Sequence, residues 1–163
     1  VVASEHGGRF PRTEAGLPLY GHEMGGDLNL GVAEAGFGTY VKIYKPWFIG
    51  RSAYIQRESQ RKGVVARFRF NEKGVRMAHP GDPVLDPKGR VIGTVTSCSI
   101  DSEGFLTGQA FVELKYAEEG TPLAIFQSAP KSAGKAPAEL KAGDRVTMPT
   151  QATVVSRYPK LGG

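Results

Sequence analysis

The sequence predicts a β-rich α+β protein. Residues 1–63 read as the end of one domain with its connecting helix, and residues 64–160 as a small antiparallel β-barrel. Three observations carry this. Twenty-two glycines and eleven prolines in 163 residues are too many for a helical bundle and suit short strands joined by turns. From Val64 the chain reads VVARFRF, basic and apolar side chains alternating with the period of a strand that has one buried face. Further on, Asp86-Pro87-Lys88-Gly89 and Asp101-Ser102-Glu103-Gly104 each place turn residues between apolar runs, a hairpin signal.

Taken in order, residues 1–45 are glycine-dense, and their apolar pieces (LPLYG, LNLGV, AGFGTYVKIY) are too short to close a core. They read as the end of a domain whose fold begins earlier. Pro46-Trp47-Phe48-Ile49-Gly50 leads into RSAYIQRESQRKG, where Ala53, Tyr54 and Ile55 offer a modest apolar side and Gly63 a stop, which predicts a helix over 51–61. The runs PVLDPKGRVIGTVTSCS, FLTGQAFVEL, TPLAIFQ and DRVTMPTQATVVSRY follow at the short spacing of barrel strands. Between the last two, Ser128 to Gly143 is rich in Ala, Pro, Lys and Gly and predicts a mobile excursion.

The formal charge of +5 is unevenly spread: residues 42–76 carry +8 and the remainder −3. A solvated basic surface explains most of these side chains, and a face toward an anionic partner is the sharper alternative. Cys98 is the only cysteine, so an internal disulfide and a cysteine zinc site are both excluded, which fits a reducing, cytoplasmic setting. No segment approaches the roughly 18 apolar residues of a membrane helix, and VVASEHGG lacks the parts of a signal peptide, so no membrane association is expected.

Several chemistries fall away on spacing. His22-Glu23-Met24-Gly25-Gly26 opens like a zinc-protease motif, but Gly26 stands where the second histidine belongs. His6, His22 and His79 are widely separated, so no metal site is expected. No G-x-S-x-G supports a hydrolase, and the glycine pairs form no G-x-G-x-x-G cradle. Aromatic residues lie near the basic span, but Phe68 and Phe70 read as core and no RNA-binding motif is present, so no nucleic-acid partner is expected.

Four words then occur in order: Glu14-Ala15-Gly16-Leu17-Pro18-Leu19-Tyr20-Gly21, Glu34-Ala35-Gly36-Phe37-Gly38, Phe48-Ile49-Gly50-Arg51 and Gly93-Thr94-Val95-Thr96-Ser97. In that order and spacing they resemble the C-terminal half of the glycine cleavage system T protein family, the tetrahydrofolate-dependent aminomethyltransferases. The resemblance covers about residues 12–112. It implies that 1–63 is the C-terminal part of a folate-binding α/β domain and 64–160 the family's C-terminal barrel. It also implies tetrahydrofolate as cofactor and the lipoylated H protein as partner. The family's catalytic aspartate lies in its N-terminal half, so no residue here is expected to be catalytic. The chain departs from the pattern at Glu5-His6-Gly7-Gly8-Arg9-Phe10-Pro11, where the family has a helix with an Ala-Arg-Asp word, and in the length of 128–143.

A pterin presents an amino group and a ring N–H on one edge, two parallel donors that one carboxylate can accept with both oxygens. The resemblance assigns that grip to Glu14, with Glu23 as the control carboxylate expected to be indifferent to folate. Lys45 and Arg51, with Arg76 third, are the candidates for the acidic folate tail; Lys offers a point charge where Arg offers a fork. Two alternatives remain: a folate-dependent demethylase of the same superfamily, or a non-catalytic folate-binding module.

Overall fold

The computed structural model describes residues 9–21, 23–127 and 148–157. Two short helices, α1 (Arg9–Glu14) and α2 (Arg51–Ser59), precede six strands: β1 (Gly63–Phe70), β2 (Pro83–Leu85), β3 (Val91–Ile100), β4 (Leu106–Glu113), β5 (Pro122–Ile125) and β6 (Thr150–Val155). The strands close into an antiparallel barrel in the order β1-β4-β3-β2-β5-β6. Helix and barrel therefore fall where the sequence predicts them. The excursion at 128–143 lies outside the described residues.

The barrel interior follows from alternation. Ala66, Phe68 and Phe70 point inward from β1 and meet Val84, Val95, Val112, Leu123, Ile125, Ala152 and Val154, all buried. Phe68 and Phe70 pack edge to face with ring centroids 5.5 Å apart, as the ring quadrupole favours. Glycine sets how closely β3 and β4 approach: a Cβ on Gly93 would stand 2.1 Å from the Phe111 carbonyl oxygen, and one on Gly108 2.3 Å from that of Ser97.

Both predicted hairpin turns are built by the same device. Asp86 Oδ1 accepts from the N–H of Lys88 and of Arg90, each at 2.9 Å, and Gly89 supplies the positive φ of 81°. Asp101 Oδ1 accepts from Glu103 N–H at 3.0 Å and Phe105 N–H at 2.9 Å, with Gly104 at φ 84°. An Asp that bonds the backbone two and four residues on, closed by a left-handed glycine, fixes the turn from within its own sequence. Asp86 Oδ2 also accepts from the Tyr116 hydroxyl at 3.0 Å, and these bonds, the Arg90 N–H first, hold its carboxyl below the usual range.

The outer face of the barrel is where the two parts meet. β1 pairs with β4 along Gly63–Arg69 but with β6 only from Arg67 to Phe70. Residues 63–66 thus have no strand on their β6 side, and the glycine-rich segment takes that place. The Val65 N–H donates to the Glu34 carbonyl at 2.7 Å, and the Val65 carbonyl accepts from Arg157 Nη1 at 3.1 Å. Farther round, α1 lies against β3 and β4, with Thr13 and Gln109 fully buried between them. The sequence pattern predicts a solvated basic face on β1, yet Arg67 on that face is buried because the segment covers it.

Two measurements test this fold. Gly93→Ala drives a methyl into backbone that cannot retreat and should cost about 1–3 kcal/mol in urea unfolding. For Asp86 the folded pKa is depressed, so its contribution is complete above about pH 4 and is lost as pH falls through the folded value. Asp86→Asn should therefore flatten the acid limb of the stability–pH curve, and an unchanged limb would exclude Asp86 as its source.

Candidate functional site

The stretch from Arg12 to Met24 holds two carboxylates, and the fold separates their roles. Glu14 is the last residue of α1. The Gly16 N–H donates to the Thr13 carbonyl at 3.1 Å and the Leu17 N–H to the Arg12 carbonyl at 3.0 Å, the paired bonds of a Schellman cap with Gly16 at φ 72°. Gly16 is required twice over, since a Cβ there would also stand 2.6 Å from Arg67 Cδ and from the Arg157 carbonyl oxygen. Helix end and barrel thus fix where Glu14 can be.

The second Glu-Ala-Gly word repeats the geometry. The Gly36 N–H donates to the Ala33 carbonyl at 3.0 Å and the Phe37 N–H to the Val32 carbonyl at 2.9 Å, with Gly36 at φ 90°. What differs is the glutamate. Glu34 Oε2 turns back to the Gly31 N–H at 2.7 Å and pairs with Arg57 at 2.8 Å, so this carboxylate serves the fold. Glu14 instead reaches the β3–β4 turn, where its Oε1 accepts from the Ser102 N–H at 3.1 Å and from the Ser102 hydroxyl at 2.6 Å. Its Oε2 makes no hydrogen bond among the described residues, and the side chain is half-buried.

Glu23 is the buried carboxylate of the pair, with no exposed surface at all. Its Oε2 accepts from the Leu19 N–H at 2.7 Å and lies 3.8 Å from Arg12 Nη1, which itself donates to the Leu17 carbonyl at 2.7 Å. This hub holds the 17–24 loop from inside, so Glu23 is unsuited to serve as an indifferent control. Gln109 Nε2 adds a bond from the barrel to the Leu17 carbonyl at 2.9 Å. Neither Glu23 nor Gln109 stands out in the sequence, because burial decides their roles and no local spacing reports it.

The three basic candidates are dispersed. Arg51, the first residue of α2, donates Nε to the Lys45 carbonyl at 3.1 Å and Nη2 to the Ile43 carbonyl at 3.2 Å. The structure thus brings Lys45 and Arg51 together, but through Lys45's backbone; its ammonium is exposed. Arg76 is exposed in the β1–β2 loop, its carbonyl accepting from Gln127 Nε2. Among the described residues no hydrogen bond or ion pair joins any of the three to Glu14. Large apolar side chains close to Lys45 in sequence stand in the open, including Tyr44, Trp47 and Ile49, all more than three-quarters exposed.

Other chemistry is sparse. Burial raises the Cys98 thiol to about 11, away from nucleophilic use. Among the described residues no group of three His, Cys, Asp or Glu could hold a metal, and no helix is long and apolar enough to cross a membrane. A cleft of about 330 Å³ opens beside the 21–28 loop, lined by Asp27, Leu28, Pro80 and Thr94 among others.

A closed barrel of this topology with a capped, glycine-rich segment laid on its outer face defines the fold class. It superposes on the glycine cleavage system aminomethyltransferase T of Bartonella henselae with a TM-score of 0.64 at 18% identity, over 88% of this chain and 35% of that one. No family model matches the chain. Curated relatives named aminomethyltransferase do: that of Alkaliphilus oremlandii is 38% identical over 117 residues, 70% of this chain and 30% of the relative. That of Cutibacterium acnes is 33% identical over 116 residues with the same coverage, and that of Moorella thermoacetica 40% over 90 residues, 55% of this chain and 23% of the relative. The chain belongs to the aminomethyltransferase family, as a C-terminal portion of it, and spans about a third of the length of the relatives it matches.

The split between the two carboxylates is testable. Glu23→Ala leaves the Leu19 N–H without its buried acceptor and should cost about 1–3 kcal/mol in urea unfolding. A loss within error of the parent would show that the 17–24 loop is held by other contacts.

Proposed function

We propose that this chain is the folate-gripping and barrel portion of an aminomethyltransferase of the glycine cleavage system. The whole protein would move an aminomethyl group from the lipoyl arm of the H protein to tetrahydrofolate in the cytoplasm, releasing ammonia. The observation that carries this is Glu14. It is the family word's glutamate, and it stands at the junction of segment and barrel with one oxygen anchored and the other open.

The residues fit a pterin edge in a specific way. The Ser102 N–H and hydroxyl set the plane of the carboxylate by holding Oε1, and Oε2 is the oxygen open to a ligand donor. A second, parallel donor on the ligand would take the place of the Ser102 hydroxyl on Oε1. Both bonds would be charge-assisted, roughly twice as strong as neutral ones. Folate supplies the one-carbon acceptor; this chain orients it, and alignment of two reactants can supply roughly 7–11 kcal/mol of a barrier. No residue of this chain is assigned to the chemical step.

For the acidic tail, Lys45 offers an exposed ammonium on a loop that Arg51 holds in shape through two carbonyls. Arg51 therefore acts chiefly through Lys45's position. Arg76, exposed in the β1–β2 loop, ranks last.

The test compares Glu14→Gln with the parent by calorimetric titration of 5-formyltetrahydrofolate, a stable reduced folate. The amide keeps an acceptor for Ser102 but sets a donor against a donor on the pterin, and an unsatisfied buried donor costs about 1–3 kcal/mol, five- to a hundredfold in affinity. The melting temperature should stay near that of the parent. Glu119→Gln, at an exposed site, is the control carboxylate. Equal affinity in all three proteins would remove the pterin assignment.

A further inference from the structure

Where β1 and β6 part, the barrel wall opens into a cleft of about 190 Å³ lined by Gly36, Val64, Arg67, Ala117, Val155 and Arg157. Two guanidinium groups on one small cleft is unusual, because buried charges are as a rule paired. Arg67 is 7% exposed and, among the described residues, donates only from Nη1, to the Ser156 carbonyl at 2.7 Å. Its Nε–H is buried with no acceptor, and no carboxylate lies within ion-pair distance of it among the described residues. Arg157 borders the same space and donates to the carbonyls of Val65 and Ala35.

The acidic groups nearest Arg67 are already committed. Glu14 is in its field but bonds Ser102, and Asp101 is in its field but forms an ion pair with Arg69 Nε at 2.8 Å and accepts from two backbone N–H groups. Burial, and then Arg157, press the Arg67 guanidinium below its ordinary pKa, the expected sign for a desolvated cation beside a second one. Glycine lets the segment's backbone close on both arginines: a Cβ on Gly36 would stand 2.8 Å from Arg157 Nε, and one on Gly16 2.6 Å from Arg67 Cδ.

We propose that this cleft binds a small oxyanion, a carboxylate or a phosphate, held side-on by the free Nε edge of Arg67 within the field of Arg157. The fork of a guanidinium matches two oxygens of such a group, and the charge-assisted bonds would satisfy the buried Nε–H. The proposed contact uses neither the Glu14 carboxylate nor folate.

The experiment titrates the full chain with inorganic phosphate and, separately, with glutarate, against potassium chloride at equal ionic strength. The Nε–H resonance of Arg67 is followed by NMR and identified by its absence in Arg67→Lys. A saturable shift with either anion and none with chloride is expected, and the stronger of the two names the source. Arg67→Lys keeps the charge without the fork and should weaken binding at least tenfold by calorimetry. Arg67→Met should abolish binding while leaving the anion-free protein at least as stable as the parent, since apolar replacement of a buried charge is often neutral or stabilising. An Arg67 resonance that does not move in tens of millimolar phosphate or glutarate overturns the proposal, as does undiminished affinity in Arg67→Lys. Because the resonance is read on the unaltered chain, where through-bond correlation from the Arg67 backbone also assigns it, a variant that fails to fold leaves the outcome decided.

Discussion

The rest of the structure depends on an unfilled edge. β1 is longer on its β4 side than on its β6 side, so the backbone at Val65 would face water with its N–H and carbonyl unpaired. Buried backbone groups must find partners. Here they find the Glu34 carbonyl and the Arg157 guanidinium, which also reaches Ala35. A segment too glycine-rich to form its own core is thereby made part of the barrel. Its two helical turns then end where glycine and arginine interlock, Gly16 on Arg67 and Gly36 on Arg157.

That constraint gives Glu14 its meaning. A carboxylate at a helix C-terminus is unfavourably placed with respect to the helix dipole, so local preference alone does not explain it. It is held there by a turn 88 residues away, whose tip is stiffened by Asp101 and by Arg69 lying 4.0 Å over the Phe105 ring. The neighbouring glutamates show the contrast: Glu23 is a buried hub and Glu34 closes its own turn on Arg57. Of the three, Glu14 is the one whose carboxylate is anchored on the barrel, at Ser102, with its Oε2 left without a hydrogen bond among the described residues.

Much of the fold was legible because its signals are local. The Asp-x-x-Gly turns carry their own hydrogen bonds, the β1 alternation reports one buried face, and Gly63 marks the entry to the strand that follows α2. The site was legible only by resemblance. Composition cannot tell Glu14 from Glu23 or Glu34, since their fates are set by Ser102, Leu19 and Arg57 across the fold. The burial of Arg67 was hidden for a related reason: a basic residue on an alternating strand reads as solvent-facing until something covers that face. The Glu-Ala-Gly words themselves turn out to carry a backbone requirement, a left-handed glycine closing a helical turn, in addition to whatever chemistry their glutamates perform.

Native-state hydrogen exchange tests the clamp most directly. If the edge of β1 holds the segment to the barrel, the amides of Leu17, Phe37 and Val65 should exchange only through the same opening that frees a barrel amide such as Val154, which donates to the Thr121 carbonyl at 2.9 Å. Their opening free energies should then fall together as denaturant is added. Exchange of Leu17 and Phe37 through a much easier local opening, with Val154 still protected, would show a segment that rests on the barrel without being part of it, and Glu14 would lose its fixed place.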